Sequence, residues 1–127
     1  MTTSLVGALA GCGGTADARE SDAAAAAQRF ETALSSKDAH ALCEALAPGT
    51  RSELEDSQER PCLEVITDQD LPEAGEPRSI DVYGRQARVV AEGDTLFLSQ
   101  FGTGWKVVAA GCLPEPGQPY QCTVKGG

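Results

Sequence analysis

Positive charge is scarce: ten Lys and Arg face nineteen Asp and Glu in 127 residues, which leaves a net charge of −9. Nucleic-acid binding and electrostatic attachment to anionic lipid both rest on clustered cations, so polyanionic partners are excluded. Aromatic residues are few as well, three Phe, two Tyr and one Trp, so a core must be built mainly from Ala, Val and Leu. His40 is the only histidine and no CxxC occurs, which removes the usual support for a zinc site or a dithiol redox centre. EF-hand spacing, GxSxG, a Walker loop and GxGxxG are also missing. Calcium, hydrolase, nucleotide and dinucleotide chemistry therefore have no motif to stand on, and no metal or cofactor is expected. No stretch reaches the ~20 apolar residues of a membrane-spanning helix.

What is present is enough for one folded domain. Apolar residues make up 41% of the chain, too many for wholesale disorder. Five cysteines in so short a chain point to an oxidising compartment, with one thiol left over. Leu9-Ala10-Gly11-Cys12 follows a small, apolar start and precedes Gly13, Gly14 and a polar run. This resembles the lipobox of bacterial lipoproteins, in which the cysteine receives a diacylglycerol thioether and becomes the mature N-terminus. The resemblance implies that residues 1–12 are a signal remnant and lipobox, that Cys12 is the odd thiol, and that the domain is held to the extracytoplasmic face of a membrane. Two acyl chains, at about 0.8 kcal/mol per buried methylene, make such an anchor effectively permanent. A signal carries a basic segment at its start; no Lys or Arg precedes Cys12, so the expectation is a start of translation further upstream.

Residues 13–21 read as a flexible tether and 22–127 as a single α+β domain that divides by charge. Residues 1–77 hold fifteen acids and five bases, net −10, and residues 78–127 hold four acids and five bases, net +1. The first part reads helical. Asp22 is positioned to cap a helix through Ala23–Ala27 to Phe30, Ala33 and Leu34, and Asp38 to cap a second with Leu42, Cys43 and Leu46 on one face, stopped by Pro48-Gly49. Thr50 with Glu53 forms a capping box for a third helix, and Pro61 opens a fourth carrying Cys62, Val65 and Ile66.

The second part reads as an antiparallel meander turning at Gly84-Arg85, Glu92-Gly93-Asp94 and Gly102-Thr103-Gly104, with a last strand near Tyr120–Val124. Three-residue turns at the latter two sites put Ile80, Val82, Ala87, Val89, Phe97, Ser99, Trp105, Val107 and Ala109 on one core face. The candidate pocket there is Phe97, Ser99 and Trp105. The opposite face receives the pair Asp81 and Arg88 and a candidate protein interface of Val90, Leu96, Leu98 and Val108.

With Cys12 set aside, four thiols allow three pairings. Chain separation favours Cys43 with Cys62 and Cys112 with Cys122, because shorter loops close at lower entropic cost. Each bridge is worth about 3 kcal/mol by chain entropy. His40 and the acidic run Glu53, Glu55, Asp56 and Glu59 read as solvated surface.

Helices followed by a bent meander whose concave face packs on them resemble the cone-shaped fold of nuclear transport factor 2-like proteins. Uncharacterised actinobacterial lipoproteins of this kind are similar through Ala33-Leu34, Cys43, Thr50-Arg51, Cys62, Leu96-Phe97-Leu98-Ser99, Gly104-Trp105-Lys106-Val107, Ala110-Gly111-Cys112 and Pro119 to Gly127. The resemblance implies N-terminal helices packed on a curved antiparallel sheet of four to five strands. That superfamily holds isomerases, dehydratases and cyclases beside many binding domains, and its enzymes place Asp, His, Tyr or Arg inside the cone. The expected interior here has no ionisable group, so the expectation is a non-catalytic envelope module that binds an envelope protein, a second copy or a small apolar ligand. A small isomerase or cyclase is the alternative.

Overall fold

The computed structural model describes residues 16–126, so Cys12 and the expected signal remnant lie outside the described residues. The order is α1 (Ala16–Ser36), α2 (Ala39–Ala45), α3 (Pro48–Gln58), α4 (Cys62–Val65), a single 3-10 turn (Ile66–Asp68), then β1 (Pro77–Tyr83), β2 (Gln86–Ala91), β3 (Thr95–Phe101), β4 (Gly104–Glu115) and β5 (Gln118–Val124). The strands form one antiparallel sheet in chain order, with the helices on one face. The fold class is α+β.

α1 is longer than its sequence pattern. Ala16 to Ser21 are helical rather than tether, and Asp22 is an exposed residue inside the helix, not its cap. Alanine-rich sequence has no intrinsic reason to stop at Asp22, and Asp17 in the first turn complements the helix dipole. Ala23, Ala26, Ala27, Phe30 and Ala33 make the buried stripe, whose small side chains let the helix lie close to the sheet. Asp38 caps α2 as expected, accepting from the Ala41 amide at 3.1 Å. Pro48 begins α3 instead of ending α2, since proline at the first helical position loses no needed donor. Thr50 therefore falls inside α3, fully buried, where its Oγ1 donates to the Val108 carbonyl at 2.9 Å instead of forming a capping box.

Both disulfides pair as the chain separations favoured. Cys43–Cys62 ties α2 to α4 across a Cα separation of 6.1 Å, and Cys112–Cys122 crosslinks opposed residues of β4 and β5. Pro116-Gly117 makes the turn between those strands; Gly117, at φ 73°, supplies the positive dihedral that a proline–glycine turn requires.

The expected register holds between β1 and β2, with Ile80 opposite Val89, Val82 opposite Ala87 and Asp81 opposite Arg88. It fails by one residue at β3. The Ala91 amide donates to the Asp94 carbonyl at 2.9 Å, so the β2–β3 turn is the two residues Glu92-Gly93 and Val89 meets Leu96 rather than Phe97. A one-residue change reverses every side chain of the strand. Leu96 and Leu98 are core, each 1% exposed, whereas Phe97 and Ser99 point to the opposite face. Trp105 and Val107 keep their expected inner positions because the β3–β4 turn is likewise two residues and the difference is taken up by a bulge at Val108. Glycine is required at residue 93, where a Cβ would collide with the Glu73 carbonyl oxygen.

Candidate interaction surface

The inner face is filled. Ala87, Val89, Leu96, Leu98, Trp105 and Val107 interlock with Phe30, Leu42, Leu46 and Ile66 in one buried apolar cluster, and the buried charged side chain among the described residues, Asp94, sits at the β2–β3 turn. Of the three candidate pocket residues only Trp105 faces inward, and it is packed at 5% exposure. Phe97 and Ser99 are brought together, but on the other face of the sheet.

That outer face is where the chain places its aromatic side chains. By register Tyr83, Phe97 and Phe101 share it, and Tyr120 of β5 packs edge-on against Phe97 with ring centroids 5.1 Å apart. Four of the six aromatic residues thus lie outside the core, although the core is short of large side chains. Tyr120 reaches Phe97 because β4 bends at Gly111, whose φ of 66° suits glycine, and brings the β4–β5 hairpin back toward β3.

Asp94 fixes this bend. Its carboxylate accepts from the amides of Thr95, Gly111 and Cys112, each at 2.8 Å, stapling the start of β3 to the turning point of β4. Burial raises its pKa, opposed by those three donors. Nothing in the local sequence distinguishes Asp94 from an ordinary turn residue, since two of its partners lie 17 and 18 residues away.

At the centre of the outer face, Arg88 donates Nη2 to Asp81 Oδ2 at 2.9 Å. This bond is the main cause that raises the arginine's pKa, with smaller contributions from Tyr120 and Tyr83. The pair is partly solvated and adds little stability, but it holds the guanidinium on the outer face, where Arg88 is opposite Phe97. Val90 lies half-buried on this face opposite Thr95, and half-buried Val108 occupies the bulge. Of the four expected interface residues, Leu96 and Leu98 are thus replaced by Phe97, Ser99 and Phe101. The sequence signal for this was available in the turn: Glu-Gly is also a two-residue hairpin loop, and that choice sets the face of β3.

A second concavity lies at the far end of α1, an open cleft of about 460 Å³ lined by Glu31, Glu73, Glu76 and Glu92 with Gln28 and Thr32. Glu31 Oε2 accepts from the Ala74 amide at 3.0 Å, and its buried Oε1 makes no hydrogen bond. Burial raises the Glu31 pKa, with the charges of Asp94 and Glu73 adding to the effect. No set of three or more His, Cys, Asp or Glu side chains is placed to hold a metal ion among the described residues. His40 is exposed on α2, and Glu55 is used structurally, accepting from the Cys62 amide at 2.8 Å. No family model, curated protein or solved structure matches this chain.

Proposed function

We propose that the chain is a lipid-anchored, extracytoplasmic module of the cell envelope that works by contact rather than catalysis, presenting the outer face of its sheet to an envelope protein. The observation that carries this is where the aromatic residues go: Phe97 and Tyr120 pack edge-on, with Arg88 directly across from Phe97 on β2, on a face that no helix among the described residues covers. Tyr and Arg are the residue types that dominate binding energy at protein interfaces, and the neighbouring Asp81, Gln86 and Lys106 supply a polar rim. Two disulfides accord with an oxidising compartment, and the lipobox-like Leu9-Ala10-Gly11-Cys12 supports the anchor. Helices packed on one face of a five-stranded antiparallel sheet support reading the domain as a nuclear transport factor 2-like cone. An isomerase or cyclase of that fold needs an acid or base inside the cone, where this chain has Val89, Leu96, Leu98 and Val107.

The test is a photo-crosslinking amino acid at Ser99, on the outer face, compared with one at Leu63, which is exposed on α4. In native membranes the Ser99 probe gives one adduct of defined mass that is lost on adding Arg88→Ala, and the Leu63 probe gives none. An adduct of twice the chain mass identifies a second copy as the partner. Equal labelling at both sites, or none at Ser99, contradicts the reading.

A further inference from the structure

α1 enters the fold at one particular end of the sheet. Arg19, within the first turn after Ala16, donates Nη1 to the Gly84 carbonyl in the β1–β2 turn at 3.0 Å. The β3–β4 turn lies at the same end, since the Gln100 amide donates to the Arg85 carbonyl at 2.8 Å. This end carries the two most exposed aromatic rings of the chain, Tyr83 at 71% and Phe101 at 39%, with Arg85 exposed between them. At the opposite end sit the β2–β3 turn and the acid-lined cleft of Glu31, Glu73, Glu76 and Glu92. The two ends of α1 therefore differ: exposed rings with Arg19 and Arg85 at one end, beside Asp17 and Glu20, and at the other the glutamate cleft, where Arg78 pairs with Glu92.

The chain length before α1 relates this polarity to a membrane. From Cys12 to Ala16 there are four Cα–Cα steps, at most ~15 Å in any conformation. α1 itself spans about 30 Å at 1.5 Å per residue, so a leash of that length holds the near end of the domain at the surface whatever its tilt. Tyrosine is enriched at membrane–water interfaces because its ring is apolar and its hydroxyl wet, and arginine reaches phosphate there. Asp17 and Glu20 on the first turns of α1 keep this end from being basic, so the rings rather than net charge carry the contact.

We propose that the end of the sheet formed by Tyr83, Arg85 and Phe101 rests on the lipid–water interface, rings at headgroup depth, with the acid-lined end turned away from the membrane. The proposal rests on the anchoring of Cys12. In this orientation the outer face stands perpendicular to the membrane and open to a neighbouring envelope protein.

The full-length protein, purified from native membranes and placed in phosphatidylcholine vesicles with a shallow doxyl-labelled lipid, decides it. Two variants are compared, Tyr83→Trp at the near end and Leu113→Trp, 70% exposed at position 113 on the β4–β5 hairpin of the far end. Buried Trp105 is common to both and serves as the internal background. The expected result is a blue-shifted, doxyl-quenched emission for Tyr83→Trp and an unshifted, unquenched one for Leu113→Trp. Quenching of Leu113→Trp to the same extent, or of neither variant, in protein whose mass shows the diacylglyceryl adduct overturns the docking and leaves the anchor standing. Protein without the adduct overturns the anchor, and the docking with it.

Discussion

Leu98 and Ser99 are adjacent in sequence, yet the same substitution at the two positions has opposite consequences in this fold. Leu98 is 1% exposed, between Ala87 on β2 and Val107 on β4, and facing the buried stripe of α1. Leu98→Ala removes three carbons from this packed site and costs about 3 kcal/mol. For a domain of this size that lowers Tm by roughly 10–20 °C. Leu98→Glu adds a carboxylate with no buried partner, and the combined loss approaches the ~5–15 kcal/mol that holds a small domain together, so this variant is unfolded at 37 °C. Ser99→Glu places the same group on the outer face and changes stability by under about 1 kcal/mol. The assay is thermal unfolding followed by far-UV circular dichroism with both disulfides intact. A folded Leu98→Glu beside an unfolded Ser99→Glu would refute the register of β3 and return Leu96 and Leu98 to the outer face.

Gly93→Ala forces a Cβ against the Glu73 carbonyl oxygen and costs about 1–3 kcal/mol in the same assay, whereas Gly102→Ala, with open space around it, costs far less. Replacing both Cys43 and Cys62 by Ser lowers stability by about 3 kcal/mol through the 19-residue loop they close, read from urea midpoints. Glu31 has a folded-state pKa above its unfolded value, so the folded state binds its proton more tightly. Its contribution to stability therefore rises as pH falls through the raised pKa and is complete once pH is below the unfolded value. Glu31→Gln removes that rise and increases stability at pH 7, which urea titrations at several pH values measure directly. Asp94→Asn leaves amides of Thr95, Gly111 and Cys112 short of acceptors and destabilises, with loss of the Phe97–Tyr120 contact visible in ring chemical shifts.

The α+β division, the Asp38 cap and the β1–β2 register were legible because each depends on neighbours in sequence, and the disulfide pairing because the alternatives close longer loops. Asp38 needs only the amide of Ala41. The face of β3 was not, because a two-residue and a three-residue turn at Glu92-Gly93-Asp94 are both locally sound and the choice is made by distant groups. Asp94 is drawn into the ladder by the Gly111 and Cys112 amides, which exist as free donors only after β4 has bent. The start of α1 was missed for the opposite reason: Ala16–Ser21 has little amphipathic pattern of its own and is held by Arg19 reaching Gly84, 65 residues on. The outer surface followed the fate of β3: Val90 lies on that face as read from the sequence and Val108 in the bulge beside it, whereas Leu96 and Leu98 are core.

The claim on which the functional account stands is that this domain works while fixed to a membrane by its own N-terminus. The most direct measurement is the intact mass of the protein extracted from membranes of its native host. The account predicts a chain that begins at Cys12, carries a diacylglyceryl adduct, and retains two disulfides among Cys43, Cys62, Cys112 and Cys122. A water-soluble product that still contains residues 1–11, with Cys12 as a free thiol, would contradict it.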